Sequence, residues 1–324
     1  LPNKTIIAWA SYTVNPSHGC SKPAAAPLEA ILDLNAFDTT LKDRLYPHGI
    51  PLKWGKPDTS LECSRCYAEL LSNRRGWTPK PWLEANAEEN LTLRPERFRE
   101  FTKVKVKDVT LPPSQRERFF VCSMSDVFHK LIPDEHIHRM LDAMAATPHI
   151  YQVLTKRPER AYNFPHSWPA NIWLGTTCGH PITKWRLEYL RRSLAKTRFV
   201  SMEPLLDSML PLDLTGIDQL IIGGESGAGY RKMEMSWARE MRDLCAETKT
   251  AYFYKQDAAF VTERRCYLME TDGRCLQYRQ FPGELTAPVE VQPDNAAYHR
   301  TLFPNWRPGA APAAQPADLF PVLP

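Results

Sequence analysis

The sequence predicts an α/β protein built as a full or partial (β/α) barrel of about six to seven parallel strands. Three observations carry that expectation. Short β-branched or aromatic runs alternate with helix-period stretches across residues 119–254, roughly every 25–30 residues, the rhythm of βαβ units with right-handed crossovers. No Gly-rich phosphate loop follows the first run, which argues against an open dinucleotide-binding sheet. Polar residues close each run, as they must where chemistry sits at strand C-termini.

Residues 6–14 read as the first strand, and 119–123 as the next. A helix is expected over 133–146, where Ile137, Met140, Leu141 and Met144 recur at helical spacing and Pro133 suits a first turn. Strands at 150–155 and 172–176 follow. The second helix, over 182–195, presents Trp185, Leu187, Leu190 and Leu194. Strands at 198–202 and 219–222 precede a helix over 236–247, with Ser236 as N-cap and Trp237, Met241, Leu244 and Cys245 on its buried side. A strand at 250–254 completes the set. The barrel is thus assigned to 1–257, with an insertion after strand one at 21–62. Residues 258–302 form a small C-terminal appendage containing a hairpin, 265–270 against 274–279 around Thr271-Asp272-Gly273, and 303–324 are a Pro/Ala-rich tail.

Composition narrows the class. The 324 residues are 43% hydrophobic and 24% charged, which excludes a disordered or fibrous chain. No run approaches the roughly 20 apolar residues of a membrane span, and no signal-peptide pattern opens the chain. Eight unevenly spaced Cys are too sparse for a secreted disulfide scaffold, so the thiols are expected to be reduced, in a cytoplasmic setting. The net charge of +4 puts any nucleic-acid binding on local patches. Between Arg94 and Arg118 lie eight Lys/Arg against four acids, and between Lys184 and Arg198 six against Glu188 alone.

The sharpest local signal is Cys63-Ser64-Arg65-Cys66-Tyr67. A C-x-x-C pair suits a zinc knuckle, a redox couple or iron–sulfur ligands, and the strand–helix context of a thioredoxin-like couple is not visible here. Cys20, at the end of the first strand, adds a third thiol. Three thiolates would leave one iron of a 4Fe–4S cluster open, whereas His18 would complete a Cys3His zinc site. The residue types alone leave both readings standing. Cys122 and Cys178 lie near strand ends, and Glu203 closes another strand. Cys266 and Cys275, across the hairpin, are read as structural.

With Cys20, Cys63-x-x-Cys66-Tyr67 resembles the cluster motif of radical S-adenosylmethionine (radical SAM) enzymes. More closely, the chain resembles the phage and bacterial three-cysteine-motif phage proteins related to spore photoproduct lyase. The matching stretches include Asn15-Pro16, Ser123-Met124-Ser125-Asp126, Thr155-Lys156-Arg157-Pro158, Ser201-Met202-Glu203-Pro204 and Gly223-Gly224-Glu225-Ser226, spread over most of residues 5–257. One departure stands out: 42 residues separate Cys20 from Cys63, where the family usually has only a few. The resemblance implies a radical SAM-type barrel with a 4Fe–4S cluster on Cys20, Cys63 and Cys66. S-adenosyl-L-methionine would be held by Ser123, Ser125 and Lys156, with Tyr67 packed over its adenine or the cluster, and Thr176, Glu203 and Glu225 would contact ribose or substrate.

It further implies a 5′-deoxyadenosyl radical that abstracts hydrogen from a nucleic-acid base or a modified thymine nucleotide, with Cys122 or Cys178 to give a hydrogen atom to the substrate radical, in an isomerase- or lyase-type reaction of phage DNA hypermodification or repair. A flavodoxin- or ferredoxin-type electron donor, a companion protein and, for a phage-encoded chain, the bacterial host cytoplasm belong to the same expectation, with no membrane involved. Basic patches interleaved with Trp54, Trp77 and Trp82 favour the nucleic-acid substrate. The alternative is a zinc-stabilised nucleic-acid-binding protein without catalysis.

Overall fold

The computed structural model describes residues 2–23 and 61–294, apart from 6 and 107, together with 40 and 44. Most of the 21–62 insertion, including Trp54, and the whole 303–324 tail lie outside the described residues. The chain is a mixed α/β protein around an eight-stranded, mostly parallel sheet that curls into a partial barrel. In chain order the elements begin with β1 (Asn3–Lys4), β2 (Tyr12–Val14), β3 (Ser17–His18), α1 (Tyr67–Arg75), α2 (Ala87–Asn90), β4 (Thr92–Leu93) and β5 (Arg118–Val121). Next come α3 (Asp134–Ala145), β6 (Ile150–Thr155), α4 (Pro158–Asn163), β7 (Ile172–Thr177), α5 (Trp185–Arg192), β8 (Arg198–Met202), β9 (Gln219–Gly223), α6 (Met235–Thr248) and β10 (Ala251–Gln256).

The sheet order is β1-β2-β5-β6-β7-β8-β9-β10, parallel throughout except for β1, which pairs antiparallel with β2. The first strand is shorter than its apolar run suggested. The chain turns at Trp9, where Ala10 N donates to Ile7 O (3.0 Å), and Trp9 is buried inside the barrel. Its ring lies 4.7 Å from Phe120 on β5 and 6.1 Å from Phe199 on β8. Those strands are three spacings of roughly 4.8 Å apart, so one side chain can touch both only across a curved sheet.

Strand alternation sorts the side chains. Trp9, Phe120, Ile150, Trp173, Phe199, Ile221 and Phe253 meet inside the curl, while Phe119, Val121, Val153, Leu174, Val200, Leu220 and Ile222 face the helices. Gly175 makes the inner packing feasible, because a Cβ there would stand 2.4 Å from the Phe199 ring. On α3, Ile137, Met140, Leu141 and Met144 form the buried stripe, with Pro133 just before the first turn. The 182–195 segment is broken into a 3₁₀ turn, Pro181–Thr183, and α5. The chain leaves α5 at Ser193 in an extended conformation, which carries Leu194 out to 69% exposure instead of onto the packed face. Helix α6 starts one residue earlier than expected, so Ser236 falls inside its first turn and Glu234 occupies the N-cap.

In the appendage, β11 (Leu268–Met269), β12 (Cys275–Gln277) and β13 (Val289–Glu290) form a small antiparallel sheet. Met269, not Cys266, stands opposite Cys275, because the turn at Gly273 (φ +86°) sets a register that places Cys266 beyond it. Cys275 is buried, and Cys266 donates to the Glu263 carboxylate (3.6 Å). Among the described residues no helix is long and apolar enough to cross a membrane.

Candidate functional site

A cavity of about 680 Å³ opens at the C-terminal ends of the parallel strands. Cys20, Cys63, Cys66, Tyr67, Cys122, Ser123, Ser125, Lys156, Glu203 and Glu225 all line it, so ten of the twelve residues singled out in the sequence converge there. Thr176 and Cys178 do not, and alternation is the reason. Thr177, Ser201, Glu203 and Lys255 continue the inward face, whereas Thr176 and Cys178 point toward the helices. Thr176 spends its hydroxyl on Thr155 O (2.9 Å). Cys178 is fully buried in the helix-side core, accepts from Thr183 Oγ1 (3.7 Å), and burial pushes its thiol up to about 12.

The cysteine loops are built from two chain segments. Gly19 takes φ +87° and bridges to Ser125, and a Cβ on it would stand 2.1 Å from Asn90 O, so only glycine fits before Cys20. Cys63 closes a 3₁₀ turn, Leu61–Cys63, and Cys66 is the N-cap position of α1. The C-x-x-C therefore does run into a helix, although a 3₁₀ turn and not a strand precedes it. Helix α1 ends at Gly76 in the left-handed conformation, whose N–H bonds Asn73 O (3.2 Å).

Burial pushes the Cys63 thiol up to about 12, with Lys156 opposing, and the Cys20 thiol up to about 11, with Arg157 opposing. The three thiols lie within electrostatic reach of one another, and Cys20 and Cys66 pack on the same Ala68–Trp82–Met124 cluster. Among the described residues no group of three or more His, Cys, Asp or Glu side chains is drawn together as a metal-holding set. His18 spends Nε2 on Ser72 Oγ (3.0 Å) and sets its ring edge-on to Trp77 (5.2 Å).

Three residues not singled out as site residues from the sequence organise these loops. Arg157 donates from Nη1 to Cys20 Sγ (3.7 Å) and Asp126 Oδ2 (3.1 Å), and from Nη2 to Ser21 O (2.8 Å). Asp126 also accepts from Thr155 Oγ1 (2.7 Å), Lys156 N (2.9 Å) and Phe128 N (3.0 Å). Burial works against the Asp126 charge, but Arg157 and these donors outweigh it and hold the carboxyl below its ordinary range. Glu62, beside Cys63, is fully buried against Arg186 Nη1 (2.7 Å) and accepts from Gly179 N (2.7 Å) and Thr183 Oγ1 (3.0 Å). Asp126 and Arg157 sit in strand-end motifs and Glu62 directly precedes the cysteine pair, yet their partners lie too far along the chain for spacing to expose them.

The serines turn inward to bind each other's loops. Ser123 Oγ donates to Asn15 Oδ1 (3.1 Å), Ser125 Oγ pairs with Ser17 Oγ (2.7 Å), and Ser17 Oγ also reaches Cys122 Sγ (3.3 Å). Tyr67 bridges from α1 to Ser123 O (2.7 Å). At the cavity floor, Glu203 accepts from Trp9 Nε1 (3.0 Å), Ser201 Oγ (3.1 Å) and Lys255 Nζ (2.9 Å). Glu225 is held by Arg231, whose Nη2 continues to Leu61 O (3.0 Å) at the start of the cysteine turn. Lys156 differs from all of these: its ammonium makes no hydrogen bond or ion pair among the described residues, and Cys63, Glu62 and Cys66 more than offset burial to keep it charged.

The site is thus three thiols and an ammonium without a partner among the described residues, with a buried carboxylate–ammonium pair on the floor. Comparison with curated proteins and with solved structures finds no match to this chain. The DUF5131 family, described as a protein of unknown function, matches residues 53–286, more than two thirds of the sequence. The chain with this cysteine-lined half-barrel mouth therefore belongs to the DUF5131 family.

Proposed function

We propose that the chain is a radical SAM enzyme, of isomerase or lyase type, acting on a nucleic-acid base or modified thymine nucleotide. The observation that carries the reading is the meeting of Cys20, Cys63 and Cys66 with the unpaired Lys156 at the C-terminal mouth of a parallel half-barrel. Soft thiol donors, desolvated and faced by Lys156 and Arg157, fit an iron–sulfur cluster, because the two cations offset the charge that loading would bring. When bound, the cluster and S-adenosylmethionine supply an electron and a 5′-deoxyadenosyl radical that removes hydrogen from the substrate.

The chain's own residues bind and orient. Lys156 offers its ammonium to a carboxylate, Arg157 and Asp126 fix the Cys20 loop, and Glu62 fixes the Cys63 turn. Cys122, beside Ser17 on the cavity wall, is the thiol placed to return a hydrogen atom, and the buried Trp9–Glu203–Lys255 floor excludes water beneath the substrate. An electron donor of flavodoxin or ferredoxin type and a reducing cytoplasm complete the reading. Anaerobic reconstitution with iron and sulfide tests it. A broad visible absorbance, lost in C20A, C63A and C66A, together with 5′-deoxyadenosine formed under reductant, is the expected result. Uptake of zinc alone with S-adenosylmethionine left intact would overturn it.

A further inference from the structure

Seven Lys and Arg side chains line the cavity against four carboxylates. All four acids are paired: Glu62 with Arg186, Asp126 with Arg157, Glu203 with Lys255 and Glu225 with Arg231. Of the other lining cations, Lys22 is held by Glu69 (2.7 Å) and Arg97 by both oxygens of Glu100 (2.8 and 3.0 Å). Arg65, Arg94 and Lys156 alone among the lining cations have no side-chain partner among the described residues. A cavity whose four acids are all neutralised, while three of its seven cations have no side-chain partner among the described residues, favours an anion.

Arg94 lies within electrostatic reach of His18. It follows β4, whose Thr92 pairs with His18, and its own N–H donates to Pro16 O (2.7 Å). His18 in turn abuts Trp77, which lines the same cavity, is 46% exposed, and makes no indole hydrogen bond among the described residues. Trp77 against His18 and Arg94 within electrostatic reach of that same ring put a stacking plane and a forked phosphate donor, without a side-chain partner among the described residues, on one stretch of the cavity lining. The second basic patch does not line this cavity, and most of it is engaged: Lys184 donates to Pro211 O (2.8 Å), Arg186 is buried on Glu62, Arg191 is held by Glu188 and Asp213, and Arg198 donates to Ser193 O (2.9 Å).

We propose that Arg94 and Trp77 form a nucleotide subsite at the cavity mouth, Arg94 taking the phosphate and Trp77 stacking on the base. The inference rests on the nucleic-acid reading above and locates its substrate: a base that is unpaired, in a mononucleotide or a single strand, since a stacking plane at a cavity mouth requires a base free of its duplex.

Binding of thymidine 5′-monophosphate and of a fluorescein-labelled twelve-residue oligothymidylate is measured on the full chain without added iron or S-adenosylmethionine. Both R94Q and W77A should weaken whichever probe binds, R94Q by roughly tenfold or more and W77A by about 5- to 100-fold. For the oligonucleotide, R94Q should also reduce the slope of log affinity against log salt by about 0.7–1, while W77A should leave it unchanged. K196A, a surface lysine of the second patch, is the control, and thermal unfolding shows that each variant folds. Binding of the monophosphate assigns a free nucleotide, and binding of the oligonucleotide alone assigns a strand. No binding by the wild type, or R94Q and W77A no weaker than K196A, would overturn the subsite. Because no cluster is needed, nucleotide binding that depends on Arg94 and Trp77 stands even if iron loading fails, and loss of the subsite leaves the cluster reading intact.

Discussion

The Glu62–Arg186 pair makes the most quantitative prediction. Both side chains are at 0% exposure and 2.7 Å apart, so their gross attraction at an effective dielectric near 20 is roughly 6 kcal/mol. Desolvation of the two ions offsets much of that gain, but removing one partner leaves the other charge buried and alone, at a cost of about 3–5 kcal/mol. Glu62→Gln keeps the volume and an acceptor for Gly179 N while deleting the charge opposite Arg186. Urea unfolding should show a lower midpoint with an unchanged slope, and thermal unfolding a drop of roughly 6–20 °C. The double variant E62L/R186M removes both charges and should recover most of the loss. A loss below about 1 kcal/mol, or a double variant no better than E62Q, would refute the assignment of this pair as a buried anchor. Alkylation of Cys63 followed by mass spectrometry gives a second readout: the thiol should react faster in E62Q, because the turn that carries it has lost its anchor.

Three further outcomes follow from the same structure. Burial first, then the neighbouring Arg157, lowers His129 to about 4, and burial with Arg94 and Arg97 does the same for His18. Their folded pKa values lie below the unfolded 6.5, so stability is full above pH 6.5 and falls as pH drops toward 4; H129Q should flatten that slope in urea midpoints measured across this window. Gly19→Ala should destabilise by more than about 1 kcal/mol and depress iron uptake, because the left-handed φ and Asn90 O leave no room for a Cβ; an unaltered variant would contradict the close approach. Finally, C178A should leave product formation intact while lowering the thermal midpoint, whereas C122A should change the product or stall turnover; equal effects on turnover would undo the inward–outward distinction.

The strands of the curled sheet were legible because each is a short apolar run closed by polar residues, and the mouth followed from those closures. What the runs did not convey was phase. Thr176 and Thr177 are indistinguishable by type, and only the inward aromatic at Trp173 sets the parity that brings Thr177 to the cavity and sends Thr176 and Cys178 to the core. The second charge patch carries a related ambiguity. Lys184, Arg186, Arg191 and Arg198 are one basic run along the chain, yet each is engaged by a carbonyl or carboxylate, three of them from other segments of the chain. Glu62 gave no signal of its own, since its partners sit 117–124 residues away. Local spacing identifies the thiols; the residues that fix them are visible only once the chain has closed.

That closure bears on the long segment separating Cys20 from the other two thiols. Its departing stem is gripped by Arg157 on Ser21 O and by the Lys22–Glu69 pair, and its returning stem by Arg231 on Leu61 O and by Glu62 on Arg186. With both stems clamped, the loop-closure entropy depends on the intervening length only through a logarithm: 37 residues and ten differ by about 1 kcal/mol in that one contribution. The cysteine site is in this sense a socket gripped at both rims: the contacts of the two stems set where Cys20 and Cys63 meet.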